Sequence, residues 1–345
     1  MTYRFKFRPY RRRFVQSLTT SHGIWDIRDG IILQLTDETG RDSWGEIAPI
    51  SWFGSETIEQ ALDFCRQLPE EITDETIFSI PDELPACQFG FESAREMGST
   101  GDGEHRRWGA QENPDFPSAP LPLCPPASTS LTYSALLPAG EAALSQWEML
   151  WQQGYRTFKW KIGVYAIAHE LEIFNILTHS LPASTKLRLD ANGGLSYEEA
   201  NLWLWTCDNL KANEEISLEI EFIEQPLPVE QFQGMLELSM FYGTAIALDE
   251  SVATFNQLVT CYQQGWRDIF VIKPAIVGSP SRLRQFCQQH KIDAVFSSVF
   301  ETAIARQAAL QLAAELSQHN RAVGFGINHF FEHKETWLQS LWNDL

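Results

Sequence analysis

The 345-residue sequence has little positive charge and no long apolar run. Its 26 lysines and arginines are outnumbered by 45 aspartates and glutamates, and the net charge of −19 argues against binding to nucleic acids or anionic membranes. No segment approaches the roughly 20 apolar residues of a membrane span. The early "YRRRF" lacks the apolar segment of a secretory signal. These absences predict a cytoplasmic protein with no nucleic-acid or membrane partner.

The sequence also lacks the cysteine spacing of a disulfide framework or a zinc site. Its six cysteines are scattered, with no C-x-x-C pair, as expected for buried thiols in a reducing compartment. They are Cys65, Cys87, Cys124, Cys207, Cys261 and Cys287.

From about residue 131, short apolar strands alternate regularly with helical segments. The strands are "LTYSALL", "TFKWKIG", "KLRLDANGG", "LEIEFIEQP", "AIALDES", "IFVIKPA", "AVFSSVF" and "AVGFGI". Eight strands alternating with helices over about 200 residues predict an α/β fold, a TIM-like (β/α) barrel. A doubly wound open sheet is the competing architecture, but neither a G-x-G-x-x-G motif nor a P-loop follows the first strand.

The preceding residues predict a small α+β domain. "YRFKFRPY" alternates as a strand does, "GIILQLTDETGRDSWGEIAP" indicates a hairpin turning at "DETG", and "TIEQALDFCRQL" and "PACQFGFESAREMG" indicate helices. A stretch rich in Gly, Pro and Ser follows. The predicted division is 1–97 for the α+β domain, 98–127 for a linker, 128–328 for the barrel and 329–345 for a tail packing on the small domain.

Five consecutive predicted strands each end in an ionisable residue. These are Lys161, Asp190, Glu224, Asp249 and Lys273, at spacings of 29, 34, 25 and 24 residues. Each spacing is about one βα unit, and all strands of a parallel barrel open their carboxyl ends on the same face. Any one of these residues alone could be a turn or helix cap, but five in register predict a common site at the barrel mouth.

The order of these charges indicates the chemistry. Three carboxylates on neighbouring strands form a site of hard oxygen ligands, which suits one Mg²⁺ ion, or Mn²⁺ in its place. A softer metal is not expected, because the set contains no Cys or His. Bound to such an ion, a substrate carboxylate makes its neighbouring C–H easier to deprotonate. Lysines on both sides could remove or return the proton. Lys159 shares the strand face of Lys161 and would add a second ammonium group.

At these residues the chain resembles the enolase superfamily, in its muconate-lactonizing branch. The motifs are "KWKIG", "LDANGG", "FIEQPL", "ALDES" and "VIKPA", with "SWGEIAP" and "QFGFESA" similar to the capping-domain segments. The resemblance implies a modified (β/α)7β barrel with an N-terminal capping domain. Loops near "TSHGIWDIRDG" and "PISWFGSET" would close over the mouth.

The same resemblance implies roles for the charged residues. Lys161 would be the general base, Lys273 the opposing lysine that stabilises an enediolate, and Lys159 an electrostatic aid. The Mg²⁺ ligands would be Asp190, Glu224 and Asp249.

Within the branch, "RLDANGG", "SSVFET" and the compact capping domain resemble enzymes of menaquinone or phylloquinone biosynthesis. These enzymes are lyases that eliminate water, in syn geometry, from 2-succinyl-6-hydroxy-2,4-cyclohexadiene-1-carboxylate. Arg188 and Asn192 share the strand face of Asp190 and would support it or the substrate. Ser297 and Ser298 would contact the substrate or cap the following helix.

Other functions fit parts of the pattern. The same groups could serve an N-succinylamino acid racemase, a dipeptide epimerase or a muconate-type cycloisomerase. A Schiff-base aldolase can also use a lysine on barrel strand six, but it does not need the three carboxylates. A non-catalytic binding barrel would need none of the five charged residues. The expected partner is a small-molecule carboxylate, with no obligatory protein partner.

Overall fold

The structure, a computed structural model, describes residues 1–20, 23–99, 131–213, 217–327, 331 and 341–342. Residues 100–127 of the predicted linker, Cys124 among them, and most of the predicted tail lie outside these ranges. The other five cysteines are free and buried. Within the same ranges, no helix has the length and apolar character needed to cross a membrane.

The N-terminal domain is a four-stranded antiparallel sheet covered by helices. Its strands are β1 (Thr2–Thr20), β2 (Gly23–Thr36), β3 (Asp42–Ile47) and β4 (Glu71–Thr73), in the order β3-β2-β1-β4. Its helices are α1 (Ile58–Gln67), α2 (Asp74–Phe78) and α3 (Pro85–Ser99). The predicted turn "DETG" joins β2 to β3, and the Asp37 carboxylate accepts hydrogen bonds from the backbone N–H groups of Thr39 and Arg41.

The hairpin of β1 and β2 is longer than the sequence predicts. The segment "TSHGIWDIRDG", expected to be a loop, is paired strand from Gly23 onward, with Leu18 opposite Trp25 after a register irregularity. The aromatic rings explain this extension, because Phe14 packs edge-on against Trp25, at 5.2 Å between ring centroids, and both contact Phe300 of the barrel.

The predicted barrel is present, with all eight strands and the helices between them. Its strands are β5 (Tyr133–Leu137), β6 (Thr157–Lys161), β7 (Lys186–Asp190), β8 (Glu219–Glu224), β9 (Ile246–Leu248), β10 (Ile269–Ile272), β11 (Asp293–Phe296) and β12 (Val323–Gly326). Its helices are α4 (Ala143–Gln152), α5 (Ile167–Ser180), α6 (Tyr197–Lys211), α7 (Phe232–Phe241), α8 (Phe255–Gln263), α9 (Pro274–Val277), α10 (Pro280–Gln289) and α11 (Ala303–Leu316). The strands are parallel in the order β11-β10-β9-β8-β7-β6-β5-β12, and a bridge between Ser297 and Gly324 joins the two ends.

A β-bulge in β8 sets which of its side chains face the barrel interior. Leu187 of β7 is paired with Ile220, but the next residue, Arg188, is paired with Phe222, so Glu221 is an extra residue. Ile220 belongs to the main apolar core, whereas Phe222 packs with interior residues such as Val271. The bulge therefore reverses the alternation and turns Glu224 inward.

Buried polar contacts join the two domains. The Glu46 carboxylate of β3 is fully buried and accepts hydrogen bonds from the backbone N–H groups of Thr302 and Ala305, at the start of α11. The Glu92 carboxylate of α3 accepts from the N–H of Ser281, in the first turn of α10. Part of the tail reaches the small domain through Trp342, whose ring centroid lies 4.7 Å from that of Trp44.

Candidate active site

The strand register brings the predicted ligands and base to one level of the barrel. Lys161 is paired with Asp190, and Asp190 is paired in turn with Glu224. Asp249 and Lys273 directly follow β9 and β10, the next strands in the sheet. The five residues therefore share the carboxyl-terminal mouth, where the "PISWFGSET" segment of the small domain also lies.

Lys159 lies among the carboxylates. Its Nζ atom is 2.9 Å from Asp190 Oδ2 and 2.9 Å from Glu224 Oε1. Burial alone would lower the pKa of Lys159, but the carboxylates of Asp190, Glu224 and Asp249 outweigh burial and raise it. Lys159 is therefore a permanent cation suited to electrostatic stabilisation rather than to proton transfer.

Lys273 is held on the opposite side of the mouth. Its ammonium donates a hydrogen bond to Asp249 Oδ1, and its Nζ lies 4.0 Å from the ring centroid of Phe53 in the small domain. This cation–π contact places the "PISWFGSET" segment directly over one of the two predicted catalytic lysines.

Lys161 differs from the other two lysines. Its side chain is partly exposed, and its ammonium makes no ion pair or hydrogen bond with the part of the chain that the structure describes. It remains close enough to help lower the pKa of Asp190. Because its amine forms no salt bridge with the described residues, Lys161 is the best placed of the three lysines to exchange a proton with a substrate.

The carboxylates are electrostatically frustrated. Burial, followed by the charge of Asp190, raises the pKa of Glu224 to about 8, and burial raises that of Asp249 to about 6 despite the nearby Lys273. Burial would also raise the pKa of Asp190, but Lys159 and Lys161 outweigh it and lower this pKa.

A divalent cation would relieve this frustration, and the oxygen donors are of the kind that Mg²⁺ prefers. Among the described residues, no three His, Cys, Asp or Glu side chains converge in metal-holding geometry, and the carboxylates of Asp190, Glu224 and Asp249 contact lysine ammonium groups. In chemical type, these three oxygen donors fit the ion.

Two further residues of the mouth were not predicted from the sequence. Glu250 is half-buried, with one carboxylate oxygen accepting from Asn192 Nδ2 at 3.0 Å and the other without a partner among the described residues. Gln225 is fully buried, and its side-chain oxygen accepts from the N–H groups of Asp249 and Ser251. Both directly follow a predicted ligand, in "DES" and "EQP", and that adjacency was the available signal.

The other residues predicted to contact the substrate have different surroundings in the structure. Asn192 lies at the mouth, in a left-handed conformation with φ +43° that Asn tolerates. Ser298 donates from Oγ to the buried Glu301 carboxylate at 2.8 Å, and neither serine caps the following helix, because Thr302 does so. Ser297 is paired with Gly324 and closes the barrel.

Arg188 is not brought to the mouth. It is 2% exposed, and its Nε donates to the bulge residue Glu221 at 2.7 Å. Glu221 also accepts from Arg321, which forms two hydrogen bonds with Asp293 at the start of β11. These four residues, the amino-end network, lie one layer below Asp190, towards the amino ends of the strands.

Both domains match known protein families. A family model described as "Enolase C-terminal domain-like" matches residues 142–340, and one described as "MenC, N-terminal domain" matches residues 14–97. The chain is 39% identical over 331 residues to the o-succinylbenzoate synthase of Thermosynechococcus vestitus, covering 95% of this chain and 93% of that protein. It is 30% identical to the o-succinylbenzoate synthase of Yersinia pseudotuberculosis, covering 84% and 80% of the two chains.

Solved structures agree. The o-succinylbenzoate synthase of Thermosynechococcus elongatus BP-1, complexed with Mg in its active site, superposes with a TM-score of 0.83 at 37% identity, covering 99% of this chain and 100% of that one. The L-Ala-D/L-Glu epimerase of Bacillus subtilis superposes with a TM-score of 0.74 at 19% identity, covering 95% and 90%, and shares the fold.

A parallel barrel with a capping sheet and a mouth lined by carboxylates and lysines defines the architecture of metal-assisted enzymes that abstract protons next to carboxylates. The chain belongs to the enolase superfamily and, within it, to the o-succinylbenzoate synthase family. The predictions of superfamily and of fold class are confirmed.

Proposed function

We propose that this protein catalyses the Mg²⁺-dependent syn-dehydration of 2-succinyl-6-hydroxy-2,4-cyclohexadiene-1-carboxylate to 2-succinylbenzoate, a step of menaquinone or phylloquinone biosynthesis. The observation that carries the proposal is the register of Lys161, Asp190 and Glu224 at the mouth, in a chain 39% identical to an o-succinylbenzoate synthase. The prediction of a hydro-lyase agrees with the names of its relatives, and Mg²⁺ agrees with the complexed structural neighbour.

Asp190, Glu224 and Asp249 would hold the ion, with Mn²⁺ as a possible replacement. When bound, Mg²⁺ supplies positive charge that stabilises the negative charge developing on the substrate carboxylate. The chain's own contribution is to keep these three carboxylates buried side by side. Because they are poorly solvated there, they favour binding of a cation.

The lysines would carry out the proton chemistry. Lys161 removes the proton next to the carboxylate and then returns it to the departing hydroxyl on the same face, as syn-elimination requires. Lys273, fixed by Asp249 and Phe53, faces the substrate as a cation and opposes the negative charge from the other side. Lys159 offsets part of the negative charge of Asp190 and Glu224 from beneath.

The surrounding elements would orient the substrate and exclude water. We propose that residues 1–97 act as the capping domain over the catalytic barrel of residues 128–328, and that Phe53 and Trp25 help to close the mouth. Asn192, Ser297 and Ser298 remain candidates for contacts to the substrate, and Arg188 would act on it only through the strand that it supports. The protein would act in the cytoplasm on a small carboxylate, with no obligatory macromolecular partner.

The test is a comparison of substrates with and without the metal. The purified protein should convert the cyclohexadiene substrate to the aromatic product in Mg²⁺, as followed by ultraviolet absorbance, and EDTA should abolish the conversion reversibly. The control substrate is an N-succinylamino acid, with racemisation followed by deuterium exchange. Turnover of the acylamino acid alone would overturn the proposal, and so would covalent trapping of substrate by borohydride in EDTA.

A further inference from the structure

The position of Lys161 depends on its backbone more than that of either neighbouring lysine. Lys159 and Lys273 are each anchored by carboxylates through their ammonium groups. Lys161 has no such anchor within the described ranges, so its amine can be placed only by the end of β6 and by the loop that follows it. The contacts that hold this loop therefore determine where the Lys161 amine lies.

One buried carboxylate holds three consecutive residues of the loop. Glu170, in the first turn of α5, is 1% exposed, and its oxygens accept hydrogen bonds from the N–H groups of Gly163, Val164 and Tyr165 at 2.8, 2.9 and 3.0 Å. Three consecutive backbone N–H groups converging on one anion form a nest. A carboxylate in the first turn of a helix is further stabilised by the helix dipole.

The loop is also fixed from the side of the metal ligands. The N–H of Ile162 donates to the backbone oxygen of Asp190 at 2.9 Å. Gly163 has φ +74°, and a Cβ placed on it would lie 3.2 Å from the Leu195 side chain. Residues 162–165 are therefore held between Asp190 on one side and Glu170 on the other, starting directly after Lys161.

We propose that Glu170 is a positioning residue for Lys161: by holding the backbone of residues 163–165, it fixes the end of β6 and the approach of the Lys161 amine to the substrate. This inference rests on the proposed function, because it takes Lys161 as the base. Removing the carboxylate leaves the N–H groups of Gly163, Val164 and Tyr165 without the acceptor that holds them together, and the loop then rearranges as they bond to water instead. The amine moves with it.

The role predicts a particular kinetic signature. The Mg²⁺ ion that would bind the substrate carboxylate is assigned to Asp190, Glu224 and Asp249, which lie on or after other strands, so KM should change little while kcat falls. A displacement of about 1 Å between reacting groups can lower the rate by about 100-fold. Proton abstraction should become more strongly rate-limiting, so the primary isotope effect with substrate deuterated at the reacting carbon should rise.

A carboxylate at the other end of the barrel is available as a matched control. Asp208 lies near the end of α6, and its oxygens accept hydrogen bonds from the N–H of Gly243 and the hydroxyl of Thr244, in the loop before β9, at 2.9 and 2.7 Å. Asp208→Asn removes an anion that accepts from a loop, as Glu170→Gln does, but at the amino ends of the strands, away from Lys161. Both variants should lower the melting temperature.

The experiment compares Glu170→Ala, Glu170→Gln, Asp208→Asn and Lys161→Ala at a temperature where each is folded. We expect Glu170→Ala to lower kcat about 10- to 100-fold, with KM nearly unchanged and a larger isotope effect. Glu170→Gln should lose less, because Gln keeps the oxygen that accepts from Val164 and Tyr165. If Glu170→Ala does not fold, Glu170→Gln carries the test.

The outcomes distinguish a failure of the positioning role from a failure of the proposed function. If the Glu170 variants lose no more kcat than Asp208→Asn, or if only their KM changes, the positioning role is wrong even when Lys161→Ala is inactive. If Lys161→Ala retains full activity, the proposed base is wrong, and the inference falls with it. Reduced kcat with an increased isotope effect, in the Glu170 variants only, supports the role.

Discussion

The two ends of the barrel both contain buried charges, on some of the same strands, but the charges are arranged differently. In the amino-end network, two arginines face two carboxylates, and Glu221 accepts from both Arg188 and Arg321. At the mouth the cations are lysines, and burial raises the pKa of Glu224 to about 8 and that of Asp249 to about 6.

The difference separates a structural cluster from a reactive one. Arginine is always charged and forms a rigid fork, so a balanced arginine–carboxylate network is stable as it stands. Lysines are mobile point charges, and carboxylates with raised pKa values are poised to bind a cation or a proton. Arg188 and Asp190, two residues apart on the same face of β7, therefore belong to different kinds of site.

The largest expected effect is at the mouth. Lys161→Ala should lower kcat by about 10³-fold, within the range for loss of a general base, while the melting temperature and the binding of Mg²⁺ stay close to those of the unmodified protein. The expected stability follows from the absence of an ion pair to Lys161 in the described residues. Steady-state kinetics, thermal unfolding and calorimetric titration with Mg²⁺ measure the three quantities, and an active variant would contradict the assigned base.

At the amino end the corresponding change should affect stability instead. Glu221→Gln leaves Arg188 buried without a charged partner, and breaking a buried ion pair in this way costs about 3–5 kcal/mol of unfolding free energy. Urea unfolding measures this loss, and kcat measured at low temperature on the folded protein should change only slightly. A fall in kcat comparable to that of Lys161→Ala would show that the two ends do not act separately.

A smaller effect concerns the metal. Mg²⁺ at 100 times its dissociation constant should stabilise the native state by about 2.7 kcal/mol, because it binds the folded protein selectively. Glu224→Gln should abolish this stabilisation, and Glu221→Gln, three residues earlier in β8, should preserve it. Melting temperatures with Mg²⁺ and with EDTA test the prediction, and equal Mg²⁺ responses in the two variants would refute the assignment of Glu224.

The smallest expected effect is on acid stability. Burial alone would raise the pKa of Glu221, but Arg188 and Arg321 outweigh it and lower this pKa. A carboxyl group with a lowered native pKa contributes stability above its unfolded value of about 4.3, and this stability is lost as the pH falls towards the native value. The difference in unfolding free energy between the unmodified protein and Glu221→Gln should therefore shrink below that pH, and a constant difference would count against it.

The sequence predicts the barrel and the five charges of its mouth because both are local patterns. Each strand is a short apolar run, and the charged residues recur at the spacing of one βα unit, so their convergence follows from the fold. The extended β1–β2 hairpin could not be predicted, because its outer half depends on contacts of Phe14 and Trp25 with the distant Phe300.

The buried carboxylates were missed for a related reason. Glu170 and Glu46 look like ordinary charges on a helix or a strand, and only the folded chain shows the backbone N–H groups they accept from. The alternation of β8 was also uninformative, since period-two patterns carry no sign of an extra residue. Arg188 was expected to support Asp190 or the substrate because it shares a face with Asp190, but it lies one layer below Asp190, in the amino-end network.

The bulge at Glu221 makes the pairing register of β8, more than its composition, critical for the enzyme. If the strand lost its bulge without a change in length, Arg188 would pair with Glu221 and Asp190 with Ile223. Ile223 would then face the mouth, and Glu224 would face the apolar layer beneath the helices. A strand one residue shorter between Ile220 and Glu224 would keep Glu224 opposite Asp190 with no bulge, so homologous chains should carry either the bulge or the shorter strand.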